Sequence, residues 1–278
     1  RPVAFVIMLL LGLGCATERS PEAQRVTLPV DSTLSFIHDG ETVATLSLAA
    51  LLERVESEEG RAFDPYYNRK KSWKTIPLAA VLHEGFKGRD VRFQDVEFAL
   101  RASDGYEVPF AGSQVMEPGA YVAYQDQEVP GWEPIGPTAA HPGPFYLVWR
   151  LEHQQDLVHY PRPWQLAEIE ISPFEKRYPL TIPTGLEADH PATLGFNIFR
   201  KQCLKCHAMN RQGGRVGPEL NVPMSIVEYR DLAQLKSYIR DPERFRYTAM
   251  PAHPGLSDQD LDHLIAYFDA MRLRKVDP

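Results

Sequence analysis

The sequence predicts two domains, an α+β domain followed by an all-α one, and three observations lead there. The chain has 278 residues, which is about two domains at ~100–200 residues each. Its apolar pattern changes character: probable strands and short helices are mixed up to about Pro173, whereas helical spacing takes over beyond His190. Between them runs Tyr178-Pro179-Leu180-Thr181-Ile182-Pro183, with Pro191 soon after, and these prolines favour an extended connection. The expected organisation is a leader and tether over 1–25, an α+β domain over 26–175, a proline-rich linker over 176–190 and a helical domain over 191–278.

Composition narrows the function classes. Hydrophobic residues make up 44% and charged residues 24%, which excludes a mostly disordered or mostly membrane-spanning chain. A net charge of -7 argues against nucleic acid as a partner, because phosphate binding draws on positive surface. The charge is unevenly placed: from His190 onward there are 13 basic and 10 acidic residues, and before it 17 and 27.

At the N-terminus, Val3 to Leu13 is an apolar run following Arg1. A bilayer span needs ~20 apolar residues, but the core of a secretion signal needs only ~7–15. Export is therefore expected, to the periplasm or the outer face of the cytoplasmic membrane. Leu11-Gly12-Leu13-Gly14-Cys15-Ala16 resembles the cleavage box of bacterial lipoproteins, departing from it at Gly12. That resemblance implies acylation of Cys15; an ordinary cysteine in a signal segment, or an uncleaved N-terminal anchor, stays open.

In the first domain, Leu46–Leu52 and Ile76–Leu82 suit short helices, the second with Pro77 in its first turn. Val91–Ala102, Ala120–Gln125, Phe145–Leu151 and Gln165–Ile171 read as strands bounded by turn residues such as Ser103-Asp104-Gly105. In the second domain helices are expected over Leu194–Cys203, Tyr229–Ile239 and Ser257–Met271. The last is the clearest, with Ser257 as N-cap, Asp260 three places on, and Leu261, Leu264, Ile265 and Phe268 at helical spacing.

Three cysteines form no disulfide framework, and two of them stand in Cys203-Leu204-Lys205-Cys206-His207. This is the attachment pattern of c-type haem: two thiols three positions apart reach the two vinyl groups of one porphyrin, and the adjacent imidazole faces the iron. A thioredoxin-like pair would require a βαβ setting, and half of a zinc site would require further Cys or paired His; neither is present.

From about His190 to the C-terminus the chain resembles the class I cytochrome c family. Gly195 and Phe199 stand eight and four residues before Cys203, where that family has a small residue and an aromatic. Tyr267 matches its aromatic on the last helix, and Gly217-Pro218-Glu219-Leu220 matches its Gly-Pro-x-Leu. The resemblance implies one covalent haem c, the Pro218 carbonyl accepting from the imidazole of His207, and a methionine as the sixth ligand. Met250, in Ala249-Met250-Pro251, is the expected ligand, with Met209 and Met224 as competitors and His253 as runner-up. Arg200, Lys201, Lys205, Arg211 and Arg215 cluster near the motif and either steer an acidic redox partner or form a solvated helical face.

Residues 26–173 resemble the molybdopterin-binding domain of the sulfite oxidase superfamily. The resemblance rests on Trp73-Lys74-Thr75-Ile76-Pro77-Leu78, Ala102-Ser103-Asp104-Gly105-Tyr106, Ala120-Tyr121-Val122-Ala123-Tyr124, Gly143-Pro144-Phe145-Tyr146-Leu147-Val148-Trp149 and Trp164 to Ile171. That superfamily binds molybdenum through a cysteine thiolate, yet no cysteine lies between Cys15 and Cys203. The domain is therefore expected to lack molybdenum and to act as a scaffold. His38, His83, His141, His153 and His159 are scattered through it without ligand-like spacing. The expected function is an exported, monohaem electron-transfer subunit of a membrane or periplasmic oxidoreductase complex, with no catalytic residue. The alternatives are a molybdopterin-dependent sulfite-dehydrogenase-like enzyme and a haem sensor.

Overall fold

The structure, a computed structural model, describes residues 32–136 and 139–276. The apolar run Val3–Leu13, Cys15 and the tether lie outside the described residues. Among the described residues no helix is long and apolar enough to cross a membrane.

The N-terminal region is β-rich. Strands β1 (Thr33–His38) and β2 (Glu41–Ser47) form a hairpin. Helix α1 (Leu48–Leu52) follows at once, capped by the Ser47 hydroxyl accepting from the Ala50 N–H. A second hairpin joins β3 (Glu58–Asp64) to β4 (Arg69–Pro77), and α2 (Leu78–Gly85) continues from it. Then come β5 (Glu97–Ala102), β6 (Glu107–Ala111), α3 (Gly112–Val115), β7 (Ala120–Asp126), β8 (Tyr146–Trp149) and β9 (Leu166–Ile171). They make a five-stranded sheet in the order β2-β1-β9-β5-β6 and a four-stranded sheet in the order β3-β4-β7-β8. Only β1 and β9 pair in parallel among these strands. Leu34 and Phe36 from one sheet and Ile76, Val122 and Leu147 from the other meet in a single apolar core, which α1 and α2 close with Leu48, Leu51 and Leu78.

Several expected boundaries move. The helices expected from Leu46 and Ile76 begin two residues later, because Leu46-Ser47 and Ile76-Pro77 finish strands and Pro77 caps α2 rather than entering it. The strand expected from Val91 starts at Glu97, since Phe93–Asp95 coils into a 3₁₀ turn. The strand expected over Phe145–Leu151 keeps only Tyr146–Trp149. Strands β1 to β4 and β6 had no counterpart in the sequence reading.

The second region is helical, with α4 (Phe174–Arg177), α5 (Pro191–Ile198), a minimal hairpin of β10 (Ala208–Met209) and β11 (Gln212–Gly213), α6 (Ile226–Tyr229), α7 (Leu232–Arg240) and α8 (Asp258–Arg272). The hairpin qualifies the all-α expectation. The helix expected over Tyr229–Ile239 is broken at Arg230, whose extended backbone (φ -108, ψ 140) lets Asp231 cap α7 at the Gln234 N–H. Ser257 caps α8 as its spacing predicts, with Asp260 completing the reciprocal pair. The 176–190 stretch is laid along this core instead of forming a bare extended linker: Phe174, Tyr178 and Ile182 pack into it, and the Tyr267 hydroxyl donates to the Thr181 carbonyl at 2.7 Å.

Helices α5 and α8 cross at Gly195. A Cβ at that position would lie 1.9 Å from the His263 carbonyl oxygen and 2.9 Å from the Tyr267 Cβ, so only glycine allows the two backbones to touch. Replacing Gly195 with alanine is expected to destabilise the chain by about 1–3 kcal/mol through overpacking. Thermal unfolding of the full-length protein checks this, and an unchanged midpoint would contradict the crossing.

Candidate functional site

The motif is presented by a change of helical pitch. His190 caps α5, its ring accepting from the Ala192 N–H, and Pro191 occupies the first turn, where no N–H is needed. The α-helix expected to run to Cys203 stops at Ile198, and Phe199–Cys203 forms one wider π-turn closed by Leu204 N–H to Phe199 O at 2.9 Å. Cys206 and His207 then both donate to the Cys203 carbonyl, at 3.0 and 2.9 Å, which holds the two thiols and the imidazole on one tight turn. Burial pushes the Cys203 thiol up to about 12 and the Cys206 thiol up to about 11.

His207 is fixed from two sides. Its Nδ1 lies 2.8 Å from the Pro218 carbonyl, leaving Nε2 as its free nitrogen. Burial lowers its pKa, which keeps the ring neutral and suited to coordinate a metal. Gly217 N–H bonds to the Cys206 carbonyl at 2.7 Å, and a Cβ on Gly217 would sit 2.4 Å from the His207 Cε1. The loop therefore needs glycine there.

Glu219, which sequence reasoning did not single out, fastens this loop. Its carboxylate accepts from the N–H groups of Asn210, Arg211, Asn221 and Val222, at 2.8–3.2 Å. Asn221 in turn donates to Asn210 Oδ1 and to the Met271 carbonyl, both at 2.8 Å. These bonds tie the hairpin after the motif to the end of α8.

In front of His207 opens a cavity of about 300 Å³. Leu220, Ile226, Leu235, Ile239 and Phe268 make most of its wall apolar, and Cys203, His207, Pro218 and Met250 also line it. Of the four candidate distal ligands, Met250 is the one on this wall. Met209 is fully buried in the helical core, Met224 is exposed, and His253 bonds to Gln202 Oε1 at 3.0 Å. Gly195, Phe199 and Tyr267 are not on the wall: they form the layer behind it, where the Phe199 and Tyr267 rings lie 5.1 Å apart. Cys206 is also off this wall, half-buried and within electrostatic reach of Asp104 on the β5–β6 turn. A thiol on the wall of an apolar slot, a second thiol on the same turn, a neutral imidazole and a thioether are donors that fit a covalent porphyrin.

Of the basic cluster, Arg200 and Lys205 are half-buried against the β-rich region, whereas Lys201, Arg211 and Arg215 are exposed. Arg200 pairs with Glu97 at 3.0 Å and stacks over Phe174 at 3.9 Å. The Lys205 carbonyl accepts from Glu107 N–H at 3.0 Å, and Arg215 N–H donates to the Gly105 carbonyl at 2.8 Å. The N-terminal region thus meets the motif turn at Arg200, Lys205 and Arg215. Glu107 itself is buried beneath Arg177, at 3.1 Å, and the Tyr178 hydroxyl, at 2.5 Å. Among the described residues no group of three or more His, Cys, Asp and Glu side chains is placed to hold a metal ion, so the scattered histidines do not converge.

Residues 190–268 match the family model described as cytochrome c oxidase, cbb3-type, subunit III. The C-terminal domain is a cytochrome c domain. Such a domain implies haem c. A 90-residue stretch is also 32% identical to "Cytochrome c oxidase subunit 2" of Alkalihalophilus pseudofirmus, covering 30% of this chain and 26% of that protein. The match thus spans about a quarter of that relative's length.

Glu107→Ala is expected to weaken the contact between the cytochrome c domain and the β-rich region by about 1–3 kcal/mol, because it strips a buried partner from Arg177 and Tyr178. Faster limited proteolysis between the two cores, with Glu107→Gln less affected, is the measurable outcome.

Proposed function

We propose that this chain is an exported monohaem c-type cytochrome that carries electrons for a larger respiratory or dehydrogenase complex, with the N-terminal region as docking scaffold. The observation that carries the reading is one apolar cavity walled by both His207, anchored on Pro218, and Met250. Cys203 and Cys206 would hold the haem through two thioethers, each made by adding an S–H across a vinyl group. His207 Nε2 and the Met250 sulfur would hold its iron. Haem c, once bound, takes up and gives back one electron at a time.

The remaining work falls to the protein's own groups. The Pro218 carbonyl holds the imidazole N–H and so fixes the ring's orientation and raises its basicity. The apolar wall keeps water away, and a thioether opposite an imidazole favours the reduced state. His207 and Met250 would together hold the iron and leave no place on it for dioxygen, which favours a carrier over a sensor. Half-exposed Tyr229 and Phe245, with Arg230 and Arg246, line the cavity beside its apolar wall and suit contact with a redox protein. The relative's name, an oxidase subunit, supports a place in a respiratory complex.

Export to the periplasm or the outer membrane face, with a lipid on Cys15 or an N-terminal anchor, belongs to the same reading and is supported by the apolar run Val3–Leu13. The sulfite oxidase-like character of the N-terminal region is likewise part of it, with no molybdenum because no cysteine lies between Cys15 and Cys203.

Metal analysis of the purified protein is expected to give one iron per chain, retained after acid-acetone extraction; stoichiometric molybdenum, or pigment lost on extraction, would overturn the assignment. Cys203→Ser with Cys206→Ser is expected to abolish covalent pigment. Met250→Ala is expected to remove the far-red sulfur-to-iron band of the oxidised protein, lower the reduction potential and let the reduced iron bind carbon monoxide, which the parent protein resists.

A further inference from the structure

A second cavity, of about 210 Å³, lies between the two regions and shares no wall residue with the first. Glu97, Phe110, Gln114 and His159 line it from the β-rich side, and Arg200, Lys201 and Lys205 from the turn that bears the cysteines. Three cations on one wall of a partly enclosed space repel one another unless anions answer them. The nearby carboxylates are already engaged. Glu97 takes Arg200 at 3.0 Å and the Phe174 N–H at 2.6 Å, and Asp156 is held by His159 and by the Val158 N–H at 2.8 Å.

Lys201 and Lys205 are what remains. Among the described residues neither has a carboxylate within 4.0 Å, and the Lys205 ammonium reaches only the Leu157 carbonyl, at 3.4 Å. Lys205 is half-buried, so water replaces that missing partner poorly. We propose that this cavity binds a small oxyanion of the phosphate or sulfate type between Lys201 and Lys205. Its size and its position between two packed regions suit a tetrahedral anion. Such an anion bonds to ammonium groups through charge-assisted hydrogen bonds.

The site also bears on electron transfer, in a part that rests on the haem reading above. Lys205 stands between Cys203 and Cys206, so an anion beside it adds negative charge next to the porphyrin and favours the ferric state.

Titration calorimetry of the full-length haem-loaded protein with inorganic phosphate, at ionic strength held constant with chloride, tests the site without reference to iron. Saturable one-to-one binding is expected, weakened at least tenfold in Lys201→Met combined with Lys205→Met and unchanged in Lys87→Met, a lysine remote from the cavity. Lys201→Met alone, at an exposed position, is expected to weaken binding at least threefold and guards against misfolding of the pair. No saturable heat in the parent protein, or equal affinity in both lysine variants, would overturn the proposal. A redox titration then reads the coupling: the midpoint potential is expected to fall as phosphate rises, and a constant potential despite measured binding would overturn that part. Loss of covalent haem would count against the haem reading and leave the calorimetric result standing.

Discussion

The backbone contact of α5 with α8 at Gly195 is the constraint on which the cytochrome c domain rests. Because the two helices touch there, Phe199 and Tyr267 stack directly behind the cavity, and Phe268, one residue on, reaches its wall. The same contact sets where α5 must end, and the π-turn after it aims the two thiols and the imidazole. Any side chain at position 195 would push the helices apart and displace everything mounted on them.

Around that contact the site is held mostly by polar bonds to backbone. Pro218 takes the imidazole, Glu219 collects four N–H groups, and Asn210 and Asn221 reach the carbonyls of Leu180, Met271 and Arg274. Glu219, Asn210 and Asn221 are buried or half-buried, where a lost partner costs more than on the surface. The apolar wall supplies the environment, and this lattice supplies the aim. On the other side of the motif turn the chain's own β-rich region packs against Arg200 and the Lys205 backbone.

The site was more legible in the sequence than the fold. Cys203, His207, Pro218 and Met250, singled out by residue type and spacing, line one cavity, and Cys206 stands on the same turn. Glu219 was missed because its partners are backbone N–H groups, which no side-chain pattern reveals. Strands β3 and β4 were missed for a different reason. Their inward faces carry Gly60, Ala62 and Asp64 against Lys71, Trp73 and Thr75, so buried charge hides the alternation that marks a strand. The buried ammonium of Lys71 is answered by Asp126 at 2.7 Å and Glu133 at 2.8 Å, partners 55 and 62 residues away in the chain. Strand β6 is masked by Pro109, which its place at the sheet edge tolerates. The pairing of Arg200 likewise depends on Glu97, which local sequence around the motif does not contain.

Joining α5 to α8 also sets an order of events during synthesis. The first and last helices of the cytochrome c domain are each other's main partners, so α5 gains the greater part of its packing only once α8 has been made. The β-rich region, complete by then, is already in place to receive it. Until then the cysteine-bearing turn, which meets the β-rich region at Glu97 and Glu107, lacks the support that Phe199 takes from Tyr267.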